Sequence, residues 1–277
     1  SYRQGEPGVD QGIPHGKFFG IGFVPRLRIA QSIGKGLVPR IKNGVVSHQP
    51  GGYQHRYGRG QKPHQPVKEP AVRVFPQIIA EEPEKQQYVI TEVENGVLKI
   101  FVRNKGVKNL NFNSLKVIVS GPKLSKLITK SGSIFKAVNQ INETTFAASC
   151  SSGSQVAGDF KISTNTALDV SSGVSVKMNL ETKSLALEAS SGSSIKLSGK
   201  ADSGVYSASS GSSISAGDFV TKSAVVDASS GSSVKINTTE SLTASATSAA
   251  SVQYRGNPSK VTKSANEMTG STINAIN

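Results

Sequence analysis

The tripeptide Ser-Ser-Gly recurs at Gly153, Gly173, Gly192, Gly211 and Gly231, at intervals of 20, 19, 19 and 20 residues. Weaker copies stand at Gly132, Ala249 and Gly270. A unit of this length cannot bury an apolar face alone and must stack on its neighbours, so eight such copies specify a solenoid. Aligned on the glycine, the apolar residues fall into columns. Three residues after it stand Phe135, Val156, Val176, Ile195, Ile214, Val234, Val252 and Ile273. Three before it stand Cys150, Val170, Ala189, Ala208 and Ala228; five before it, Ala148, Leu168, Leu187, Tyr206 and Val226. A spacing of two on both sides of the bend is the strand period, not the helical one. Each copy therefore reads as strand, Ser-Ser-Gly bend, strand and a looser return. Rungs stacked at about 4.8 Å pair their backbones with one another. The glycines are structural turn residues, supplying a bend that a Cβ obstructs. The serines are expected to bond to neighbouring rungs or to free backbone groups.

Composition agrees with such a thin, repetitive β architecture. Only 36% of the residues are hydrophobic and 6% aromatic, with no Trp and 28 Gly. One cysteine excludes an internal disulfide framework and any multi-cysteine metal site. No run approaches the roughly 18 apolar residues of a membrane-spanning helix. The net charge of +14 is unevenly spread: residues 1–87 carry 13 basic against 6 acidic side chains, 10 of the 12 prolines and all four histidines. Near Tyr88 that composition gives way to one rich in Ser, Thr, Val and Lys. We therefore divide the chain into an irregular basic arm, 1–87, and an all-β solenoid, 88–277, with a strand cap at 88–120.

In the arm, short apolar patches such as Phe18-Phe19, Ile21 and Phe23-Val24 are cut by Gly or Pro every few residues. Four readings stay open there. Arg26, Arg28, Arg56 and Arg59, interleaved with Tyr53 and Tyr57, have the residue types that contact RNA by charge and stacking. His55 and His64 are metal-ligand types, without ligand spacing. A poorly ordered, solvated basic arm explains the same composition, and nucleic acid is not the partner we expect. An out-of-frame stretch is a further reading, because a one-base slip over Tyr53–Tyr57 restores an alternating pattern.

Within the repeat, a serine beside glycine resembles a nucleophile, but five equivalent copies and no histidine after His64 make it structural. Cys150 shares the inward column of Val170 and Ala189 and is read as a small buried hydrophobe. Asp159 and Asp218 lie in matching Gly-Asp-Phe triplets, read as corner turns with Phe160 and Phe219 inward. One carboxylate per triplet is far short of a calcium shell. We expect no catalytic residue, metal or cofactor. The candidate ligand-binding residues are Lys177, Lys196 and Lys235, four residues after the glycine and outward by parity, as is Lys136. Such a ladder suits an acidic polysaccharide. Asp169, Glu188 and Asp227 stand four residues before the glycine in three of those copies, and the neutral copies carry Ser149 with Ala157 and Ser207 with Ser215. That covariation predicts a charge pair across each bend.

Upstream, Tyr88–Val102 alternates around Asn95-Gly96, a hairpin signal. Leu115–Val119 is another strand, turned into the first rung by Gly121-Pro122. These strands are expected to cover one solenoid end, which otherwise exposes an unpaired edge. The stretches Tyr88-Val-Ile-Thr-Glu-Val-Glu-Asn-Gly-Val-Leu-Lys-Ile100, Leu115-Lys-Val-Ile-Val-Ser-Gly-Pro-Lys-Leu124 and Tyr254-Arg-Gly-Asn-Pro-Ser-Lys-Val-Thr-Lys263, with the Ser-Ser-Gly rungs, resemble the bacterial head GIN domain family, labelled autotransporter adhesins. The resemblance covers roughly residues 77–277; before residue 77 the chain departs from the family pattern. It implies a right-handed parallel β-helix on a secreted or envelope-anchored protein, extracytoplasmic and commonly from Bacteroidetes-type bacteria, and it offers no catalytic residues to carry over. The expected function is a non-enzymatic adhesin-like or glycan-binding module, whose partner is a cell-surface polysaccharide or an envelope protein. The alternative is an envelope spacer without its own ligand. Self-association at the solenoid ends is a further partner expectation.

Overall fold

The computed structural model describes residues 19–25, 75–80 and 82–276, apart from 105 and 109. The RNA-contact and metal readings of the arm, and the one-base slip, rest on residues outside this set. The chain order is β1 (Phe19–Pro25), β2 (Phe75–Ala80), a 3-10 turn (Pro83–Tyr88), β3 (Val89–Glu94), β4 (Val97–Val102), β5 (Leu115–Gly121), β6 (Lys126–Thr129), β7 (Ser133–Ala137) and β8 (Ile141–Cys150). The long strands β9 (Gln155–Val170), β10 (Ser175–Ala189), β11 (Ser194–Ala208), β12 (Ser213–Ala228) and β13 (Ser233–Ala246) follow. The stack closes with β14 (Ser251–Arg255), β15 (Lys260–Ala265) and β16 (Thr272–Ala275).

This is a parallel β-solenoid of about eight turns. From β8 to β13 each strand pairs in parallel with the next, and equivalent residues stack: Ile195 lies against Val176 and Ile214, and Lys177 against Lys196. The columns read from the glycine phase form the core. Phe135, Val156, Val176, Ile195, Ile214, Val234, Val252 and Ile273 are all buried, as are Cys150, Val170, Ala189, Ala208, Ala228, Leu168, Leu187, Tyr206 and Val226. Stacking like residues over like keeps an apolar column continuous, which is how a chain with few large side chains excludes water.

The bend has a specific cause. In the five Ser-Ser-Gly copies the second serine has φ between 51° and 58° and the glycine between 69° and 71°, both left-handed. The residue after the glycine closes the turn on the first serine, as in Ser193 N to Ser190 O at 3.2 Å. Two consecutive left-handed residues make a type I′ turn. A Cβ on Gly173, Gly192 or Gly211 meets nothing within 4 Å. Backbone conformation, rather than crowding, is therefore what selects glycine there. Neighbouring bends are bonded too: Gly192 N donates to Ser210 O at 3.0 Å, and Gly211 N to Ser230 O at 3.0 Å.

The serine that matters inside is the one after the glycine. Ser154, Ser193, Ser212 and Ser232 are buried. Ser212 donates to Ala189 O of the preceding rung at 2.9 Å, and Ser232 to Ala208 O at 3.0 Å. Each accepts from its own bend as well, from Ser209 N and Ser229 N at 3.1 Å. A buried hydroxyl bonded in both senses carries no desolvation penalty and locks the rung height.

One end is covered by strands from both sides of the composition boundary. Asn95 and Gly96 are left-handed and close the β3–β4 hairpin, with Val89 opposite Val102. Leu98, Ile100 and Val102 turn one face of this hairpin to the core. β5 pairs antiparallel with β2. β1 lies in parallel between β5 and β7, with Ile21 opposite both Val117 and Phe135. The segment read as an irregular arm thus contributes β1 and β2; the Phe19-Gly-Ile-Gly-Phe23 alternation is long enough for one strand once partners exist on both sides. At the other end, Gly256 admits no side chain, since a Cβ there would stand 2.2 Å from Thr238 O.

Tyr206 is the largest fully buried side chain among the described residues. It fits because Gly204 precedes it by two: a Cβ at Gly204 would stand 2.6 Å from the Tyr206 ring. Its hydroxyl makes no hydrogen bond of ordinary geometry: its polar neighbour, the Thr221 hydroxyl, interacts with it only weakly and donates instead to Asn237 O at 3.1 Å. Burial pushes this phenol well above its ordinary range. Tyr206→Phe is therefore expected to stabilise the fold by about 1 kcal/mol at neutral pH, because the unpaired buried hydroxyl disappears. The sign with pH follows: above about pH 10 the unfolded phenol ionises and the folded one does not, so the wild type loses stability as pH rises further. Urea unfolding of both proteins at neutral and alkaline pH checks this; the gap between them should widen above that value.

Candidate functional site

The strand segments that follow the bends pair into one continuous parallel face. Along it run Lys136, Ala157, Lys177, Lys196, Ser215, Lys235 and Gln253, each opposite the next in the parallel register. Rungs lie about 4.8 Å apart, so Lys177 and Lys196 are immediate neighbours and Lys235 stands two rungs further on. Lys136, Lys177 and Lys196 are exposed. Lys235 is half-buried, its aliphatic stem lying against Gly217, where a Cβ would stand 3.4 Å from Cε. Stacked like charges on a rigid sheet repel one another and attract any anion that repeats on a similar scale.

The expected pair across each bend does not form. Ion pairs among the described residues join Lys200 to Glu181, Lys222 to Asp202 and Arg255 to Asp218, with three more in the cap. None uses Lys177, Lys196 or Lys235, nor Asp169, Glu188 or Asp227. The reason is topological. Segments before the bend pair only with other pre-bend segments, and segments after it only with post-bend ones, so the two ladders look out from different faces. Asp169 instead accepts from Ser149 on its own face, at 3.4 Å.

A second basic feature lies at the corner midway along the long strands. A groove of about 490 Å³ is lined by Lys161, Lys183, Lys200 and Lys222, with Glu181 and Asp202, over a floor that includes Ile162, Ala201 and Val220. Lys222 and Asp202 are 2.8 Å apart. That hydrogen-bonded pairing holds the Asp202 carboxyl below, and the Lys222 ammonium above, the usual range. Sequence phasing missed this cluster, because the register shifts between Glu181 and Ser184 and again between Lys196 and Ser198.

Other candidate positions resolve structurally. Cys150 is buried, and burial pushes its thiol up, away from the thiolate a nucleophile needs. Phe160 and Phe219 face inward at the Gly-Asp-Phe corners. Asp218 lies 3.0 Å from the Arg255 guanidinium, and no group of three or more metal-ligand side chains forms among the described residues. No described helix is long and apolar enough to cross a membrane.

A family model described as "Putative auto-transporter adhesin, head GIN domain" matches residues 76–258. The chain belongs to this head GIN domain family. No curated protein matches it. Among solved structures, the GIN domain is similar to a "putative adhesin" of Bacteroides fragilis, with 18% identity, covering 74% of this chain and 83% of that one at a TM-score of 0.53. A "putative lipid binding protein" of Parabacteroides distasonis is 20% identical, over 74% of this chain and 85% of that one, with a TM-score of 0.61. A "putative adhesin" of Parabacteroides merdae is 14% identical, over 74% and 97%, with a TM-score of 0.63. At these identities the likeness is one of fold.

Proposed function

We propose that this GIN domain is a non-enzymatic, extracytoplasmic, adhesin-like module that binds acidic cell-surface polysaccharide through Lys177, Lys196 and Lys235. One observation carries the reading: the three lysines lie in one column of the post-bend face, and none has an ion-pair partner. A polysaccharide presents carboxylates at regular intervals, and a stacked solenoid presents cations at regular intervals. The adhesin descriptions of the family and of two neighbours support the same reading. The Ser-Ser-Gly bends serve it by bonding each rung to the next, which sets the lysines at the rung repeat.

Binding of the full chain to a soluble polyuronate, followed by titration calorimetry, tests the proposal. Affinity should fall as salt rises, because exposed charges are screened. The triple variant Lys177→Gln, Lys196→Gln, Lys235→Gln should lose about tenfold or more, since exposed contacts contribute up to about 1 kcal/mol each. Equal binding by the variant would move the site to the corner groove. No polyanion binding by the wild type would favour the spacer reading.

A further inference from the structure

The covariation of acids and lysines needs an explanation once the intramolecular pair is absent. Counted by rung from Gly173 to Gly231, the post-bend face reads Lys177, Lys196, Ser215, Lys235, and the pre-bend face reads Asp169, Glu188, Ser207, Asp227. Charge stands with charge and neutral with neutral. The acids are exposed, and beside them on the same face runs an exposed apolar column of Ala167, Ala186, Val205 and Val225, the two valines about half exposed at 51% and 48%. Exposed apolar side chains running beside a charged ladder make this face a candidate contact surface.

We propose that the partner is a second copy of this chain, packed side by side, with the lysine face of one molecule against the acidic face of the next, so that a neighbouring copy and an acidic polysaccharide compete for the same lysines. With solenoid axes parallel and rungs at equal height, Lys177, Lys196 and Lys235 meet Asp169, Glu188 and Asp227, and Ser215 meets Ser207. A slip of one rung leaves a single opposite-charge pair. The antiparallel arrangement reaches three pairs only by using Lys136 in place of Lys235, which a variant can distinguish. The contact is heterologous, so it closes a ring or extends a row rather than stopping at two. About five rungs of ~4.8 Å, by about five residues of ~3.4 Å, give roughly 400 Å² per molecule. That is below a standard interface, so each contact is weak and the row depends on many of them.

Sedimentation of the full chain over a range of concentrations at low and high salt tests this. The expected result is concentration-dependent association at low salt that weakens roughly tenfold or more at high salt. The variant Asp169→Asn, Glu188→Gln, Asp227→Asn leaves every lysine in place; it should stay monomeric yet still bind polyuronate, which separates this proposal from the ligand reading. Two charge-reversed variants complete the test, one with Asp169→Lys, Glu188→Lys and Asp227→Lys, the other with Lys177→Glu, Lys196→Glu and Lys235→Glu. Each should be monomeric alone with an unchanged circular dichroism spectrum, and the mixture should associate. Lys235→Gln should weaken wild-type association and Lys136→Gln should not. A wild type that is monomeric at low salt, a mixture that fails to associate, or an effect of Lys136→Gln in place of Lys235→Gln overturns the proposal.

Discussion

Gly199→Ala is expected to lower the unfolding free energy by about 3–5 kcal/mol, a large share of what a domain of this size commonly has. Two independent effects add at this position. Gly199 has φ +111°, a conformation that side chains rarely adopt. A Cβ there would stand 2.2 Å from Leu180 O and 2.9 Å from Leu180 C, both backbone atoms of the adjacent rung. Backbone cannot swing aside as a flexible side chain can, so the two rungs must separate and their ladder hydrogen bonds stretch. Gly192→Ala is the control. Its φ is +69° and the added methyl enters open space, which leaves the left-handed cost alone, about 1 kcal/mol. Urea unfolding of both variants by circular dichroism checks the difference; similar midpoints would mean that the rungs at Gly199 are less tightly fixed than the geometry requires.

Phe219→Ala should cost about 3–5 kcal/mol, the usual range for truncating a buried phenylalanine. Phe219 is fully buried and sits in a corner column with Phe160, Leu180 and Gly199. The rung directly beneath it offers no side chain at Gly199, so nothing on that side can collapse into the cavity. Phe219→Leu is expected to cost less than about 1.5 kcal/mol, because the same column already accepts Leu180 and most of the volume is kept. Thermal unfolding of the three proteins orders them wild type, Leu, Ala. A Leu variant as unstable as the Ala variant would show that ring shape, not volume, holds the corner.

Much of the fold was legible because the glycine phase turns one-dimensional sequence into stacked columns, and each inward column is read several times over. Val176, Ile195, Ile214 and Val234 identify one another. The serine after the glycine was legible as inward by one signal, the apolar Val174 and Ala250 in its column, which the uniform Ser-Ser-Gly-Ser-Ser runs obscure. The lysine ladder was legible by parity. Its relation to the acids was not: covariation across a bend looks like contact, but a bend that splits the chain between two sheet faces keeps such residues apart. The corner lysines Lys161, Lys183, Lys200 and Lys222 were hidden for a different reason, since bulges shift the phase between the glycine and the corner. The place of β1 was beyond local reading, because its partners β5 and β7 lie about ninety residues or more downstream and nothing near Phe19 specifies the gap between them.

On the proposed reading the lysine face works outside the cell. The most direct measurement treats unbroken source cells, at a salt concentration that separates neighbouring copies, with an amine-reactive reagent too large to cross the envelope, then maps modified lysines by mass spectrometry. Modification of Lys177, Lys196 and Lys235 on intact cells is the predicted result. Modification of these residues only after the envelope is broken would contradict it and leave the solenoid a structural role within the envelope.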